Sequence, residues 1–431
     1  MTAKKKSKLR WRKLDNSAKI FPIVSNKKFS AVFRMSVVLK EPIEKEILEE
    51  ATNRTLGRFV SFKVRLRKGF FWYYLEYNPK EPIVELERTY PCKYIDPNTN
   101  NNYLFKVTYF ENKINVDIFH SLTDGNSATR FFKELIYQYI EIKHKGEKKF
   151  SSHDDKRVSY NNTEDEYIKN YNKKAKGNAS SKKAYVLKGK KLPLDAISVV
   201  HEKIDIQKLR EIAKLKGATV TQYLTANLIC SIQEANYKYY HRREKKPIKI
   251  CIPVNLKKYI SSTTISNFFS YITIEANMYK GEYKNFEEVL EFVKQDFKDK
   301  LTEENVIATM SNNVKLGTNI FIRLLPLFIK KFTVKMSYIE IRKYTTTTFS
   351  NIGRIGILPE YKEYIQDFLF LIAPEQVEKI KCSACSYENH LVFTITSTLK
   401  DNQIAKDFAQ RLEGQGIEVQ IEGNGVYESV S

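Results

Sequence analysis

"KINVDIFHSLTDGNS", residues 113–127, changes its hydrophobic period at a histidine. Before that point Ile114, Val116, Ile118 and His120 alternate with Asn115, Asp117 and Phe119, the period of two that marks a β-strand. After it Ala128, Phe131, Phe132, Leu135, Ile136 and Tyr139 recur at three and four residues, the spacing of an amphipathic helix. His120 therefore stands in a short strand-to-helix connection, its imidazole on the aliphatic face and turned toward a covered interior. Burial disfavours imidazolium, so such a ring can stay neutral at pH 7 and take a proton from a hydroxyl, thiol or amine. A hydrogen-bonded core histidine is the other reading of the same pattern. Asp124 could hold the loop through a salt bridge, and Gly125 permits a backbone conformation that a side chain would block.

Outward from this stretch, "KKFSAVFRMSVVL" reads as a strand, "EPIEKEILEEATNRTL" as a helix, and "FVSFKVRLRKGFFWYYLEY" as two strands about a Lys-Gly turn. "NYLFKVTYF" pairs with residues 113–120 across "ENK". Residues 151–194 are polar and rich in Asn, Lys and Ser, which predicts a linker or a loosely packed excursion. A second half opens with a strand and two helices, Thr219 or Thr221 capping the second helix. Strands at "PIKICIPVNL" and "FFSYITIEANMY", a helix at "FEEVLEFVKQDFKDKL" and a helical region around "TNIFIRLLPLFIKKF" follow. Four strands, a helix and a last strand close the chain. The predicted fold is α/β in two halves, residues 1–150 and 195–431, joined by 151–194, with ligands expected between layers or domains.

Composition bounds the function. The 431 residues are too many for one ordinary core, and 42% hydrophobic residues let both halves bury one. No run of about 18 apolar residues occurs, and "MTAKKKSKLRWRKL" lacks the apolar stretch of a signal peptide, so a cytoplasmic protein is expected. Five scattered cysteines suit reduced thiols. The net charge of +23 invites a nucleic-acid reading, but the lysines are spread along the chain. With no RNP-like strand, zinc-finger spacing or basic recognition helix, nucleic acid is not the expected partner. A basic surface equally suits phosphorylated substrates such as coenzyme A, or an anionic membrane.

"HSLTDG" is similar to the His-x-x-x-Asp-Gly signature of the coenzyme A-dependent acyltransferase superfamily, which includes chloramphenicol acetyltransferase, BAHD enzymes, condensation domains, wax ester synthases and alcohol acetyltransferases. Other segments agree in order over about residues 14–422. "DNSAKIFPI" looks like the N-terminal element of the alcohol acetyltransferase branch, and "RFVSFKVRL" stands where condensation domains carry an Arg-containing strand. "GATVTQYLTANL", "IPVNLKKY" and "ISNFFS" resemble the first helix and strand pair of the second half. "FSNIGRIG" is similar to the Ser-Asn-x-x-Gly element of wax ester synthases and alcohol acetyltransferases.

The resemblance implies two chloramphenicol acetyltransferase-like α/β-sandwich subdomains with the active-site tunnel at their interface. It implies His120 as general base on an alcohol that attacks acyl-coenzyme A, a co-substrate, with no tightly bound cofactor and no metal. Asp124 would be architectural, paired with Arg65 or with its rival Arg58. Ser350 and Asn351 are candidates for oxyanion or tunnel contacts, or for shaping the strand end. Phe119 stands where condensation domains have a first histidine, and the BAHD Asp-Phe-Gly-Trp-Gly motif is absent, which favours a free-standing alcohol acetyltransferase type. A carrier-dependent condensation or polyketide-associated acyltransferase, and a non-catalytic basic adaptor for lipid or nucleic acid, are the alternatives.

Two further segments carry a functional and a bland reading. "CSAC" with His390 nearby is half of a metal site, yet Cys382 and Cys385 would face opposite sides of a strand. "NIFIRLLPLFIKKF" is expected to be a core or tunnel-lining helix interrupted by Pro326, and contact with an anionic membrane is the other reading. The basic N-terminal tail is read as a solvated arm.

Overall fold

A computed structural model of the chain describes residues 11–146, 150, 162–173, 175, 182–194, 196–240, 246–277, 283, 285–318 and 320–425. Most of the basic tail (1–10), and 151–161 and 176–181 of the expected linker, lie outside the described residues. The first half runs β1 (Trp11–Lys13), α1 (Phe21–Val24), β2 (Val32–Leu39), α2 (Lys45–Arg58), β3 (Val64–Lys68), β4 (Tyr73–Tyr77), β5 (Val84–Leu86), β6 (Phe105–Phe110), β7 (Lys113–Phe119) and α3 (Gly125–Lys143). One helical turn, α4 (Glu166–Lys169), follows. The second half begins β8 (Ser198–Asp205), α5 (Ile206–Leu215), α6 (Val220–Tyr240), β9 (Ile248–Asn255), β10 (Phe269–Ala276) and α7 (Phe286–Lys300). It continues through α8 (Glu303–Thr318), α9 (Ile320–Leu324), α10 (Leu327–Arg342), β11 (Thr347–Arg354), α11 (Pro359–Lys362), β12 (Ile365–Ile372), β13 (Ile380–Tyr387), β14 (His390–Ser397), α12 (Gln403–Glu413) and β15 (Val419–Gly423).

The helical period after Asp124 becomes α3, whose six periodic apolar residues are each 1% exposed or less. Phe131 stacks on Phe62 at 4.4 Å. Burying each such phenylalanine is worth about 1.5–3 kcal/mol, which explains why this face, and not local propensity, fixes the helix. The strands form sheets in the orders β12-β2-β7-β6-β5, β10-β9-β11-β13-β14-β8-β15 and β1-β4-β3. Both faces of β7 are covered, so its polar residues are not a solvated side. Asn115 accepts from Ser36 Oγ at 2.6 Å, and Asp117 accepts from Arg34 Nε at 2.9 Å and from the Cys92 amide at 3.1 Å.

One strand departs from the division at the linker. β12 lies far along the second half yet pairs antiparallel with β2 of the first. The second sheet grips it from behind: Ser383 Oγ donates to the Phe370 carbonyl at 2.5 Å, Thr396 Oγ1 to the Ile372 carbonyl at 2.7 Å, and Lys203 pairs with Asp367 at 2.6 Å. The described part of the expected linker is packed, not loose. Tyr167, Tyr185 and Leu187 are buried, and the Tyr185 amide donates to the Pro247 carbonyl at 2.8 Å. Buried aromatic and aliphatic area there outweighs the polar composition around it.

Thr219 is the cap of α6: its Oγ1 accepts from the Gln222 amide at 3.3 Å while Gln222 Oε1 accepts from the Thr219 amide at 2.8 Å. Cys382 and Cys385 are free, buried and divided between the two main apolar cores. No cluster of metal-ligating side chains occurs among the described residues. Among them, no helix is long and apolar enough to cross a membrane. Pro326 caps the start of α10, but the core reading of that segment fails: Phe328 and Phe332 are each 71% exposed.

Candidate active site

β7 ends at Phe119, and the His120 amide donates to the Ala31 carbonyl at 2.9 Å, which ties the turn to the start of β2. The turn is then pinned from the second half, Thr123 Oγ1 donating to the Ile265 carbonyl at 2.6 Å. The imidazole is enclosed by rings: Phe21 stacks on it at 4.7 Å, Phe33 meets it edge-on at 5.2 Å, and Phe269 tilts over it at 5.4 Å. Burial pushes the His120 pKa down, and hydrogen bonds to its own carbonyl and to Asn267, with the charges of Asp124 and Asp15, oppose that shift. The neutral form of the ring is thereby favoured.

Its tautomer follows from the partners. Asn267 Nδ2 lies 3.0 Å from Asp15 Oδ2 and 3.1 Å from the His120 carbonyl, both acceptors only, so this end of the amide is the donor. Asn267 Oδ1 must then accept, and it lies 3.0 Å from His120 Nδ1. This arrangement puts the proton on Nδ1 and the lone pair on Nε2. Asp15 is itself held, its Oδ1 accepting from Ser17 Oγ at 2.9 Å and the Ala18 amide at 2.8 Å. A carboxylate, an amide and an imidazole form one chain across both halves.

Asp124 caps α3, accepting from the Ser127 amide at 2.9 Å. Its other oxygen accepts from the Phe268 amide at 3.0 Å and lies 3.5 Å from Lys257 Nζ. Lys257 also donates to Ser127 Oγ at 2.9 Å. The expected arginine partners are corrected. Arg65 faces Glu76 directly across the β3–β4 register and pairs with it at 2.6 Å, and Arg58, at the end of α2, pairs with Glu134 of α3 at 2.9 Å. Asp124 therefore joins the two halves instead of bracing the first.

Gly125 is also corrected. It opens α3 without a left-handed backbone, and a Cβ built there would stand 3.5 Å from Cγ2 of Ile352, an ordinary contact. Asn351 uses both ends of its amide: Nδ2 donates to Thr221 Oγ1 of α6 at 3.2 Å, and Oδ1 accepts from the Gly353 amide at the β11 bulge at 2.8 Å. Gly353 adopts φ +78°, so the left-handed turn falls one place nearer Asn351 than the Ser-Asn-x-x-Gly spacing sets its glycine. Ser350 lies two residues before Ile352 on the same strand.

Sequence reasoning missed Asp15, Asn267 and Lys257. Each lies inside a segment quoted for its resemblance, but each has a polar neighbour as well (Asn16, Ser266, Lys258), so no local contrast marks it. Their pairing spans 252 residues from Asp15 to Asn267 and 147 from His120 to Asn267, beyond the reach of local pattern.

No family model and no curated protein matches the sequence. Solved structures do match its fold. The F. sporotrichioides TRI101 protein complexed with coenzyme A and T-2 superposes with TM-score 0.65 at 10% identity, over 95% of this chain and 99% of that one. TRI3 trichothecene 15-O-acetyltransferase from Fusarium sporotrichioides gives 0.60 at 10% identity over 95% and 96%. Polyketide synthase associated protein 5 from Mycobacterium tuberculosis gives 0.61 at 13% identity over 93% and 96%. The chain therefore has the two-domain chloramphenicol acetyltransferase-like fold of the coenzyme A-dependent acyltransferases.

Proposed function

We propose that this protein is an O-acyltransferase that moves an acyl group from acyl-coenzyme A to an alcohol hydroxyl. The observation that carries the proposal is the Asp15–Asn267–His120 chain, which leaves a neutral imidazole with Nε2 unprotonated at the meeting of the halves. Nε2 takes the alcohol proton as the oxygen attacks the thioester carbon. The tetrahedral oxyanion collapses, the carbon–sulfur bond breaks, and the imidazolium returns the proton to the departing thiolate. Asn267 fixes the ring and its tautomer throughout, and no covalent enzyme intermediate or metal is needed. Because the Asn351 amide is already bonded to Thr221 and the Gly353 amide, Ser350 is the member of the pair that we propose donates to the oxyanion.

The test is thiol release from acetyl-, butyryl- and palmitoyl-coenzyme A with pooled alcohols. Release that disappears in a folded His120→Ala variant supports the reading; equal release from both proteins, or none from either, overturns it. Similarity to polyketide synthase associated protein 5 favours one second reading, a carrier-bound donor in place of coenzyme A. That enzyme would ignore coenzyme A thioesters and release thiol from an acylated carrier, again only with His120 in place.

A further inference from the structure

α10 is built inside out. Lys330 is 1% exposed, while Phe328 and Phe332 are each 71% exposed, with Met336 and Ile339 exposed on the same side. The spacing 328, 332, 336, 339 makes one continuous helical stripe. The buried lysine is accommodated because Nζ donates to the Phe71 carbonyl at 3.1 Å and the Arg323 carbonyl at 2.9 Å, and lies 4.2 Å over the Trp72 ring. Those bonds fasten the β3–β4 turn to the helix, as does the Leu327 amide donating to the Phe70 carbonyl at 2.9 Å. Phe70, also 71% exposed, thereby joins the stripe, and exposed Leu324 of α9 extends it.

The charge beside this apolar face is mainly positive. Residues 305–339 hold Lys315, Arg323, Lys330, Lys331 and Lys335 and no acidic residue. Glu340, which follows, is paired with Lys183 and Lys343, and Glu76 is paired with Arg65 and Arg67, so the strand leading to Phe70 adds Lys63 and Lys68. A two-fold contact with a second copy would set these cations against one another. Projecting phenylalanines flanked by cations instead match the boundary between acyl chains and anionic headgroups.

We propose that the α9–α10 stripe with the Phe70 turn is an interfacial docking face for anionic lipid, and that it places His120 one short helix from the lipid phase. The distance argument is structural: Leu327 of α10 packs on Ile23 and Val24 of α1, and Phe21 of the same turn stacks on His120 at 4.7 Å. An apolar alcohol or acyl chain drawn from the lipid would have a short route to the base. That second clause rests on the acyl-transfer reading; the docking itself does not.

Vesicle co-sedimentation tests it, using phosphatidylcholine alone and phosphatidylcholine with about 30% phosphatidylglycerol. The protein is expected to partition onto the anionic vesicles, less at high salt, and Phe328→Ser/Phe332→Ser is expected to reduce partitioning roughly tenfold or more with an unchanged melting temperature. Leu215→Ser, an 80% exposed leucine on α5, serves as the surface control and should partition as the parent does. His120→Ala should also sediment normally while losing thiol release, which separates the two readings. Equal partitioning of the parent and the double variant, or none by the parent, overturns docking whatever the thiol assay shows. So does a parent dimer, or a complex with an acidic soluble protein, that the double variant breaks in the absence of vesicle binding.

Discussion

His120 and His201 are both enclosed, and both are held at Nδ1, yet they belong to different kinds of environment. His201 lies in β8, its Nδ1 2.9 Å from Thr394 Oγ1, and burial with Lys113 nearby pushes its pKa down to about 4. Among the described residues, no carboxylate opposes that shift. At His120 the same penalty is opposed by Asn267, its own carbonyl, Asp124 and Asp15. The neighbouring residue sharpens the contrast: Glu202 is fully buried with neither carboxyl oxygen hydrogen-bonded, and burial with Glu413 nearby holds its pKa well above the usual range. Enclosure is common to both histidines; the oriented acceptor chain is found at His120.

Substitution at the two histidines is the most direct way to break this comparison. His120→Ala should lower thiol release by about 100- to 10,000-fold, and His201→Gln should leave it within about twofold. Equal losses would erase the distinction. Asp124→Asn removes the charge beside partly buried Lys257 and weakens the α3 cap; we expect about 2 kcal/mol of lost stability, roughly 30-fold in the folding equilibrium, read from the urea midpoint.

Asn267→Ala sharpens the contrast further, and a loss of about tenfold in kcat is expected from a ring free to change tautomer. Because the Asn267 hydrogen bond raises the His120 pKa, its removal lowers that pKa, and the acidic limb of the pH–rate profile should move to lower pH. A purely structural role would leave the limb in place. The smallest effect is at Glu202. A raised folded pKa gives stability that is full below the unfolded value and declines as pH rises, by at most about 1.4 kcal/mol per pH unit for one proton. Glu202→Gln should flatten that decline in melting curves taken from pH 5 to 8.

The same contrast explains what the sequence could show. The strand–turn–helix around His120 was legible because period two gives way to period 3.6 within one short stretch, and the α3 stripe is buried as that period requires. His201 sits in a strand too, and pattern alone does not separate it from His120. What separates them is Asn267 and Asp15, brought in from other segments by tertiary packing. Arg65 illustrates the opposite error. A cation expected to serve Asp124 meets Glu76 because hairpin register sets them face to face. Exposed Phe328 shows a third limit, since apolar periodicity marks a helix face without saying whether protein or something else covers it.

β12 has a consequence for how the chain is made. The first sheet cannot close when α3 leaves the ribosome at Lys143; it needs Ile372, which emerges 229 residues later, roughly 10–50 s at ordinary synthesis rates. Through that interval β2 is an open edge of valine, methionine and serine, a template for mispairing. A nascent chain of this protein thus carries that open edge until its second half returns a strand to its first.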